Sequence, residues 1–399
     1  MTVTYGSVCS GIEAATVAWE SLGWKPEWFS QFDPLHNYSK QADFPSRVLA
    51  HHYPDVPNWG DMTQLANLVR CGVIAAPDVL VGGTPCQAFS ISGLRKGLKD
   101  PRGQLTIAFG ELADAIDEKR ETPCKILWEN VPGVLSSKDN AFGCFLALLA
   151  GESCELKPPG RKWTNAGCVS GPKRVVAWRV LDAQYFGLAQ RRKRVFVVAS
   201  ADPRFDPTSI LFECESVRRD TPPSREKKKN ITGGVKRGFT QGVSELARTL
   251  LAKSNDSMAE DLDTYVLSYG GGNTKGHIDV ATTCTAHGYR QDFDTETFVV
   301  QNPVLCFSSK DYGGDLSTEV SPTLRAGNSN LSHPNGGQPP AILNHANLVR
   351  RLMPIECERL QGFPDNYTNI PGANDGNRYK ALGNSMAVPV MRWLGERLK

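Results

Sequence analysis

The sequence predicts an α/β protein: a mostly parallel, doubly wound sheet interrupted by a smaller strand-and-loop module. Three observations predict it. Short apolar runs alternate with helix-like stretches through the first two hundred of the 399 residues. From about residue 205 the texture changes to Pro, Gly, Thr, Asn and Asp, and long helical periodicity disappears. Past residue 345 helical character returns. The expected organisation is 1–205 as the main domain, 206–345 as the inserted module, and 346–399 packing back onto the first part.

The elements follow in order. "MTVTYGSV" reads as a strand and "IEAATVAWESLG" as a helix; "EWFSQFD" is a strand, with a helical segment running to "LAHHYP". "TQLANLVRCG" is helical and "PDVLVGG" a buried strand. "GQLTIAFGELADAIDEKRE" is a long amphipathic helix, "CKILWEN" a strand and "NAFGCFLALLAG" a helix. "RVVAWRVLDA" and "KRVFVVAS" are further strands. Within 206–345 a short repeat recurs as "ELARTLLAK", "DVATTCTAH" and "EVSPTLRAG". Between its copies lie β-like runs leading into Gly-rich turns. "LVRRLMPIECERLQGFP" and "YKALGNSMAVPVMRWLGERL" close the chain as helices.

Composition narrows the classes. At 40% hydrophobic residues the chain can bury a substantial core, which excludes global disorder. No apolar run approaches membrane-spanning length, and the first residues lack a basic lead and a long apolar stretch, so a cytoplasmic protein is expected. The eleven cysteines are odd in number and scattered, with no CxxC, which argues against a disulfide framework or a standard zinc site. The net charge of +3 is uninformative, but its distribution is not. Residues 157–229 hold seventeen Lys and Arg against seven Asp and Glu; residues 257–319 hold three against ten. A basic segment beside a crevice suits a polyanion, and a solvated charged face explains it equally well. The stretch 151–174, which contains Trp163, leans to the first reading because of its charge.

Ligands of open α/β sheets bind beyond the carboxyl ends of the strands, so the residues there are the candidates. "GSVCSGIEAA" follows the first strand and lets backbone approach a ligand. It lacks the GxGxxG pattern, and Glu13 stands where a phosphate would be repelled, which favours a cofactor without pyrophosphate. Gln31, Phe32 and Asp33 end the second strand; Asp61 and Met62 come later. They could hold a ribose and an adenine, or simply cap helices. Cys86 follows Pro85 in a Gly- and Ser-rich loop after a buried strand. Most free cysteines are inert core residues, but a thiol at a strand end is exposed enough to react, and nearby cations favour its thiolate. Glu129 in "WENVPG" and Gln190, Arg192 and Arg194 in "AQRRKRVFVV" reach other strand ends. A nucleophile, a carboxyl group and an arginine pair at adjacent strand ends make a site.

The order of "GSVCSGIEAA", "GGTPCQAFSISG", "ENVPG", "QRRKRVFVVA", "ECERLQGFP" and "ALGNSMAVP" resembles the DNA cytosine-5 methyltransferase family over nearly all of 1–205 and 346–399. The texture of the variable module looks most like phage or prophage members. The resemblance implies a Rossmann-like, S-adenosylmethionine-dependent methyltransferase domain with an inserted target-recognition domain. Cys86 is then the nucleophile that adds at carbon 6 of a flipped cytosine. Glu129 would serve ring nitrogen 3, Arg194 the base carbonyl oxygen, and Arg192 the orientation of the loop or thiolate. Gln87, Ser90 and Ser92 fall on a lid loop spanning 86–104. Cys9, Gly11, Ile12 and Ala14 would cradle the amino-acid part of S-adenosylmethionine. Gln31 and Phe32 would serve the ribose and adenine end, and Asp61 and Met62 would face the adenine. Pro85, Leu105, Asn384 and Ser385 would complete the pocket. The chain departs from the family pattern at Gln31, where Glu is usual; at Cys9, where Phe is usual; and at Glu13, where a second glycine is usual. The expected partner of this monomer is double-stranded DNA, with a cognate restriction endonuclease as a candidate second partner and no membrane or metal. A tRNA methyltransferase of the same chemistry and a catalytically silent DNA-binding protein stand as alternatives.

Overall fold

The computed structural model describes residues 2–84, 101–213, 268–269, 298–299, 305–307, 321, 341–343 and 349–399. Seven strands form one sheet in the order β2-β1-β3-β4-β7-β6-β5. They are β1 (Thr4–Val8), β2 (Lys25–Ser30), β3 (Val79–Gly82), β4 (Lys125–Asn130), β5 (Ala166–Ser170), β6 (Val175–Asp182) and β7 (Lys193–Ser200). β1 to β4 pair in parallel. The pairs β4–β7, β7–β6 and β6–β5 are antiparallel. The doubly wound α/β fold is therefore present, but its second half is a meander rather than a continuation of the parallel order. Connection length explains this. A parallel crossover needs a dozen or more residues and usually a helix, whereas β6 and β7 are joined by only a short turn through Ala183–Phe186.

Helices cover both faces. On one side lie α3 (Leu65–Arg70), α4 (Pro101–Lys119) and α5 (Ala141–Ala150). Phe109, Leu112, Ile116, Phe142 and Phe145 of these helices bury against Val8, Trp28, Leu80, Ile126 and Trp128. Trp128 packs on Phe145 with ring centroids 4.2 Å apart. On the other face α1 (Ala14–Trp19) stacks Trp19 edge-on against Tyr5, centroids 4.9 Å apart. The C-terminal helix Val388–Arg397 completes that layer: Trp19 Nε1 donates to Met391 O at 2.7 Å. This buried hydrogen bond ties the C-terminal helix to α1.

Two strand glycines have a steric cause. Gly6 pairs with Trp28 across β1–β2, and a Cβ there would lie 2.2 Å from the indole. Gly167 pairs with Trp178 across β5–β6, where the clash would be at 2.3 Å. Both are places where a ring approaches neighbouring backbone closely.

Two residues of the stretch 151–174, Trp163 and Arg174, are part of the framework. Trp163 is 5% exposed and packs edge-on against Phe142 and Trp178. Its indole donates to Asn140 Oδ1 at 3.0 Å. Arg174 is buried and donates to Asp117 Oδ2 at 2.6 Å and Asp114 Oδ1 at 2.8 Å, and Lys173 also pairs with Asp114. The charge that suggested a DNA contact is, at these two positions, neutralised within the fold.

The chain divides into two compact units, Met1–Thr221 with Glu319–Pro340 and Leu352–Lys399, and Pro222–Thr318 with Ala341–Arg351. In the second, Leu305–Phe307, Ala341–Leu343 and Val349–Arg351 form an antiparallel sheet, and Ser268–Tyr269 pairs with Phe298–Val299. Ser321 belongs to the first: its N–H donates to Ala189 O at 2.6 Å and its carbonyl accepts from Arg191 N–H at 2.9 Å. Of the three repeat copies, only Ser321 lies within the described residues.

Candidate active site

Because β1 to β4 run the same way, residues 9, 31, 83 and 129 emerge on one edge of the sheet. β7 runs the other way and brings its first residues to that edge. Arg194 therefore meets Glu129 diagonally across the β4–β7 pair, Nε to Oε1 at 3.0 Å. Both side chains are largely buried. Burial pushes the Glu129 carboxyl up, and Arg194 and Arg192 only partly offset it. Glu129 is therefore poised to hold a proton more readily than a surface glutamate.

Arg192 is fully enclosed. Its Nη2 donates to Gly383 O at 3.1 Å and Ser385 O at 2.5 Å, and its N–H donates to Asp182 Oδ1 at 2.9 Å. Burial, followed by repulsion from Arg194, lowers its affinity for a proton to about 9, which still leaves it charged at neutral pH. It fixes the Asn384–Ser385 stretch rather than facing open space. Gln190 is likewise buried, donating to Leu360 O at 2.7 Å.

The turn after β1 contains three left-handed residues within five: Cys9 (φ 49°), Gly11 (φ 58°) and Glu13 (φ 64°). Such backbone costs non-glycine residues about 1 kcal/mol or more each, and it concentrates at functional sites. Gly11 N–H donates to Gln31 Oε1 at 2.9 Å, and Gln31 Nε2 donates to Asp43 Oδ2 at 2.8 Å. The amide at position 31 thus ties the turn to the neighbouring strand end, which a carboxylate beside Asp43 would do less well. Cys9 Sγ lies 3.8 Å from Met62 Sδ, and burial pushes its thiol up to about 12, so it is inert. Asp61 accepts from Thr63 N–H as a cap at 3.0 Å. Ile12 is wholly buried. Phe32 is 44% exposed and stacks on Tyr38, with ring centroids 5.2 Å apart.

A cavity of about 50 Å³ is lined by Cys9, Gly11, Ala14, Glu129, Asn384 and Ser385 among others. Six of the sequence-predicted residues thus meet around one space. Gln31 and Met62 touch the turn without lining this cavity; Ile12, within the turn, and Phe32, Asp61 and Leu105 do not line it either. Pro85, Cys86, Gln87, Ser90 and Ser92 lie outside the described residues. The approach to Cys86 is nonetheless fixed. Thr84 is fully buried; its Oγ1 accepts from Trp128 Nε1 and its carbonyl from Asn130 Nδ2, both at 2.9 Å. At Gly83 a Cβ would come within 3.4 Å of Glu129 Oε2.

Sequence reasoning missed Thr84, Asn130 and Met386, and it read Glu13 as repelling a phosphate and as a departure from the family pattern, with no contact assigned to it. Glu13 is buried in the cavity wall, its Oε2 accepting from Ser7 Oγ at 2.8 Å. The signal for it was present: a charged residue inside an otherwise small and apolar turn.

Among known proteins, a DNA N-6-adenine-methyltransferase of Escherichia phage P1 is 43% identical over 99% of this chain, which spans 61% of that relative's length. A type II methyltransferase of Bacillus subtilis is 25% identical over 98% of this chain and 74% of its own length. The solved structure of the S. pombe Dnmt2 methyltransferase shares the fold, with a TM-score of 0.50 at 14% identity over 99% of this chain and 97% of that one. The profile of the C-5 cytosine-specific DNA methylase family matches residues 3–399, so this chain belongs to that family.

Proposed function

We propose that the protein methylates carbon 5 of a flipped-out cytosine in duplex DNA, using S-adenosylmethionine. The observation that carries this reading is the Glu129–Arg194 pair set at 3.0 Å on the wall of a cavity shared with the strained β1 turn. The residues present fit the donor. Gly11 faces open space where a Cβ would stand, and no Lys or Arg side chain lines the described cavity to repel a sulfonium. Cys9, Gly11, Ala14, Asn384 and Ser385 would hold the donor, with Gln31, Phe32, Asp61 and Met62 toward its nucleoside end. When bound, S-adenosylmethionine supplies an electrophilic methyl group.

The protein's own groups do the rest. Carbon 5 of cytosine is a poor nucleophile. Addition of the Cys86 thiolate to carbon 6 turns it into an enamine carbon able to take up the methyl group. Glu129, held toward its protonated form by burial, donates to ring nitrogen 3 and stabilises the charge created by addition. Arg194 orients that carboxyl group and, as the family resemblance implies, would contact the base carbonyl oxygen. Arg192 holds the Asn384–Ser385 wall. Loss of the carbon-5 proton then lets Cys86 leave.

The printed name of the phage relative raises adenine as a second target. That relative extends well beyond the shared part, and a carboxyl–arginine pair beside a thiol loop suits addition to a pyrimidine rather than transfer to an exocyclic amine. Bisulfite sequencing of DNA from cells expressing the protein, with parallel mapping of methylated adenine, decides between them. Cytosines protected from conversion at one recurrent site, and loss of that protection in Cys86→Ser, are expected. Methylated adenine that persists in Cys86→Ser refutes the cytosine reading. Label transfer to tRNA but not to duplex DNA would move the substrate to RNA. The duplex target is expected to be read by residues within 206–345.

A further inference from the structure

Glu13 is the one acid in the β1 turn, and its backbone, at φ 64°, is of the kind glycine adopts at no steric cost. The side chain is 1% exposed. Oε2 accepts from Ser7 Oγ at 2.8 Å; Ser10 Oγ and the N–H and hydroxyl of Thr16 also lie close enough to stabilise the carboxylate, but none of them gives Oε1 a hydrogen bond of standard geometry. An oxygen left without a hydrogen bond in a water-poor site is destabilising, more so if charged. The groups facing it are neutral: the hydroxyls of Ser7, Ser10 and Thr16, and the phenols of Tyr5 on β1, Tyr53 after α2 (Phe44–His52) and Tyr367 in the C-terminal segment. Burial keeps all three phenols protonated through neutral pH, and the Cys9 thiol likewise. Across the cavity stands Glu129, already paired with Arg194. A buried carboxyl group with a vacant acceptor, opening on a cavity with no lining cation, is complementary to a small cation.

We propose that Glu13 binds the methyl donor directly, its Oε1 accepting from the α-ammonium of the amino-acid part. This rests on the reading of the cavity as the donor site. It makes the turn selective for a cationic cofactor and hostile to phosphate, in place of the permissive glycine that the family resemblance leads one to expect.

A proton balance follows. Burial pushes the Glu13 carboxyl up to about 7, so the free protein carries a partial proton there at neutral pH. An incoming ammonium favours the carboxylate and expels that proton. Affinity then rises about tenfold between pH 6 and pH 8, as the carboxylate fraction does.

Isothermal titration calorimetry on the full chain tests this with S-adenosylmethionine, S-adenosylhomocysteine and methylthioadenosine, each in two buffers of different ionisation enthalpy. Proton release and the pH rise are expected with the first two ligands, which carry the ammonium. Neither is expected with methylthioadenosine, which lacks the amino-acid part. Glu13→Gln should abolish the proton release and weaken S-adenosylhomocysteine about tenfold at pH 8 while sparing methylthioadenosine. Unchanged affinity and proton count in Glu13→Gln would overturn the proposal. Release with S-adenosylmethionine alone would also overturn it, by moving the contact to the sulfonium. A wild-type protein that binds none of the three ligands would refute the donor-site reading itself, and this inference with it. Should Glu13→Gln not fold, Ser7→Ala keeps the carboxyl group but removes the Oε2 donor. Its affinity midpoint should then move to higher pH, and an unmoved midpoint counts against the proposal.

Discussion

At the scale of single residues, two buried carboxyl groups on one cavity divide the labour by their surroundings. Glu129 has Arg194 at 3.0 Å and is proposed to serve the base; Glu13 has neutral hydroxyl and phenol neighbours and one oxygen without a hydrogen bond of standard geometry. Glu129→Gln should lower the rate of methyl transfer by about a hundredfold or more, the usual worth of a positioned general acid. Binding of S-adenosylhomocysteine should survive. Activity that needs a protonated Glu129 falls as pH rises through its elevated value. Single-turnover rates of the wild type should therefore show an alkaline limb that Glu129→Gln lacks; a limb retained in the variant would assign it to another group. Glu13 makes a separate prediction for stability. The folded protein holds its proton more tightly than the unfolded chain does, so the destabilisation is absent below pH 4.5, develops between 4.5 and about 7, and is complete above that. In full it amounts to roughly 3 kcal/mol, at about 1.4 kcal/mol per tenfold of proton affinity. Urea denaturation at pH 5 and pH 8 should show Glu13→Gln gaining on the wild type at the higher pH.

At the scale of elements, what was legible depended on whether the signal was local. β1, β3, β4 and α4 could be read because apolar periodicity and Gly-bounded ends are written in neighbouring residues. The direction of β7 was not, because it depends on which strand it chooses as a neighbour. Yet that direction is what carries Arg194 to the edge where Glu129 emerges. β5 was missed because Ala166 and Gly167 are weak strand formers, Gly167 being there to leave room for Trp178. The charge of 151–174 suggested an outward role, while Trp163 and Arg174 face inward. Trp163→Ala should cost about 3–5 kcal/mol by chemical denaturation, the range for a buried large aromatic. Arg161→Ala and Lys162→Ala, at exposed positions, should stay within about 0.5 kcal/mol. If they also leave DNA binding unchanged across salt concentrations, the insert is framework alone; a shallower salt dependence would give those two residues a phosphate contact.

At the scale of the whole molecule, the site is assembled from segments far apart in sequence, and its rigidity depends on the return of the C-terminal residues. Tyr367 donates to Ile12 O at 2.9 Å, locking the β1 turn from behind. Arg192 grips the carbonyls of Gly383 and Ser385, and Trp19 seats the last helix against Gly395, where a Cβ would lie 2.4 Å from the indole nitrogen. These contacts have separable consequences. Gly395→Ala should overpack the α1 face and lower stability by about 1–3 kcal/mol. Because Gly395 lies outside the cavity lining, the folded fraction should still bind S-adenosylhomocysteine with native affinity. Arg192→Lys should behave the other way. A lysine keeps the charge, but its tetrahedral ammonium on a shorter side chain does not reproduce the two in-plane hydrogen bonds that Nη2 makes to Gly383 O and Ser385 O, so Asn384 and Ser385 lose their fixed position at the cavity wall. Affinity for S-adenosylhomocysteine should fall about tenfold, the worth of one charged hydrogen bond, with a smaller change in melting temperature than Gly395→Ala produces. Calorimetric titration and thermal denaturation of both variants measure the two effects side by side. Equal losses of affinity in the two would mean that the C-terminal segment docks as one unit, with no separate part for Arg192 in shaping the donor site.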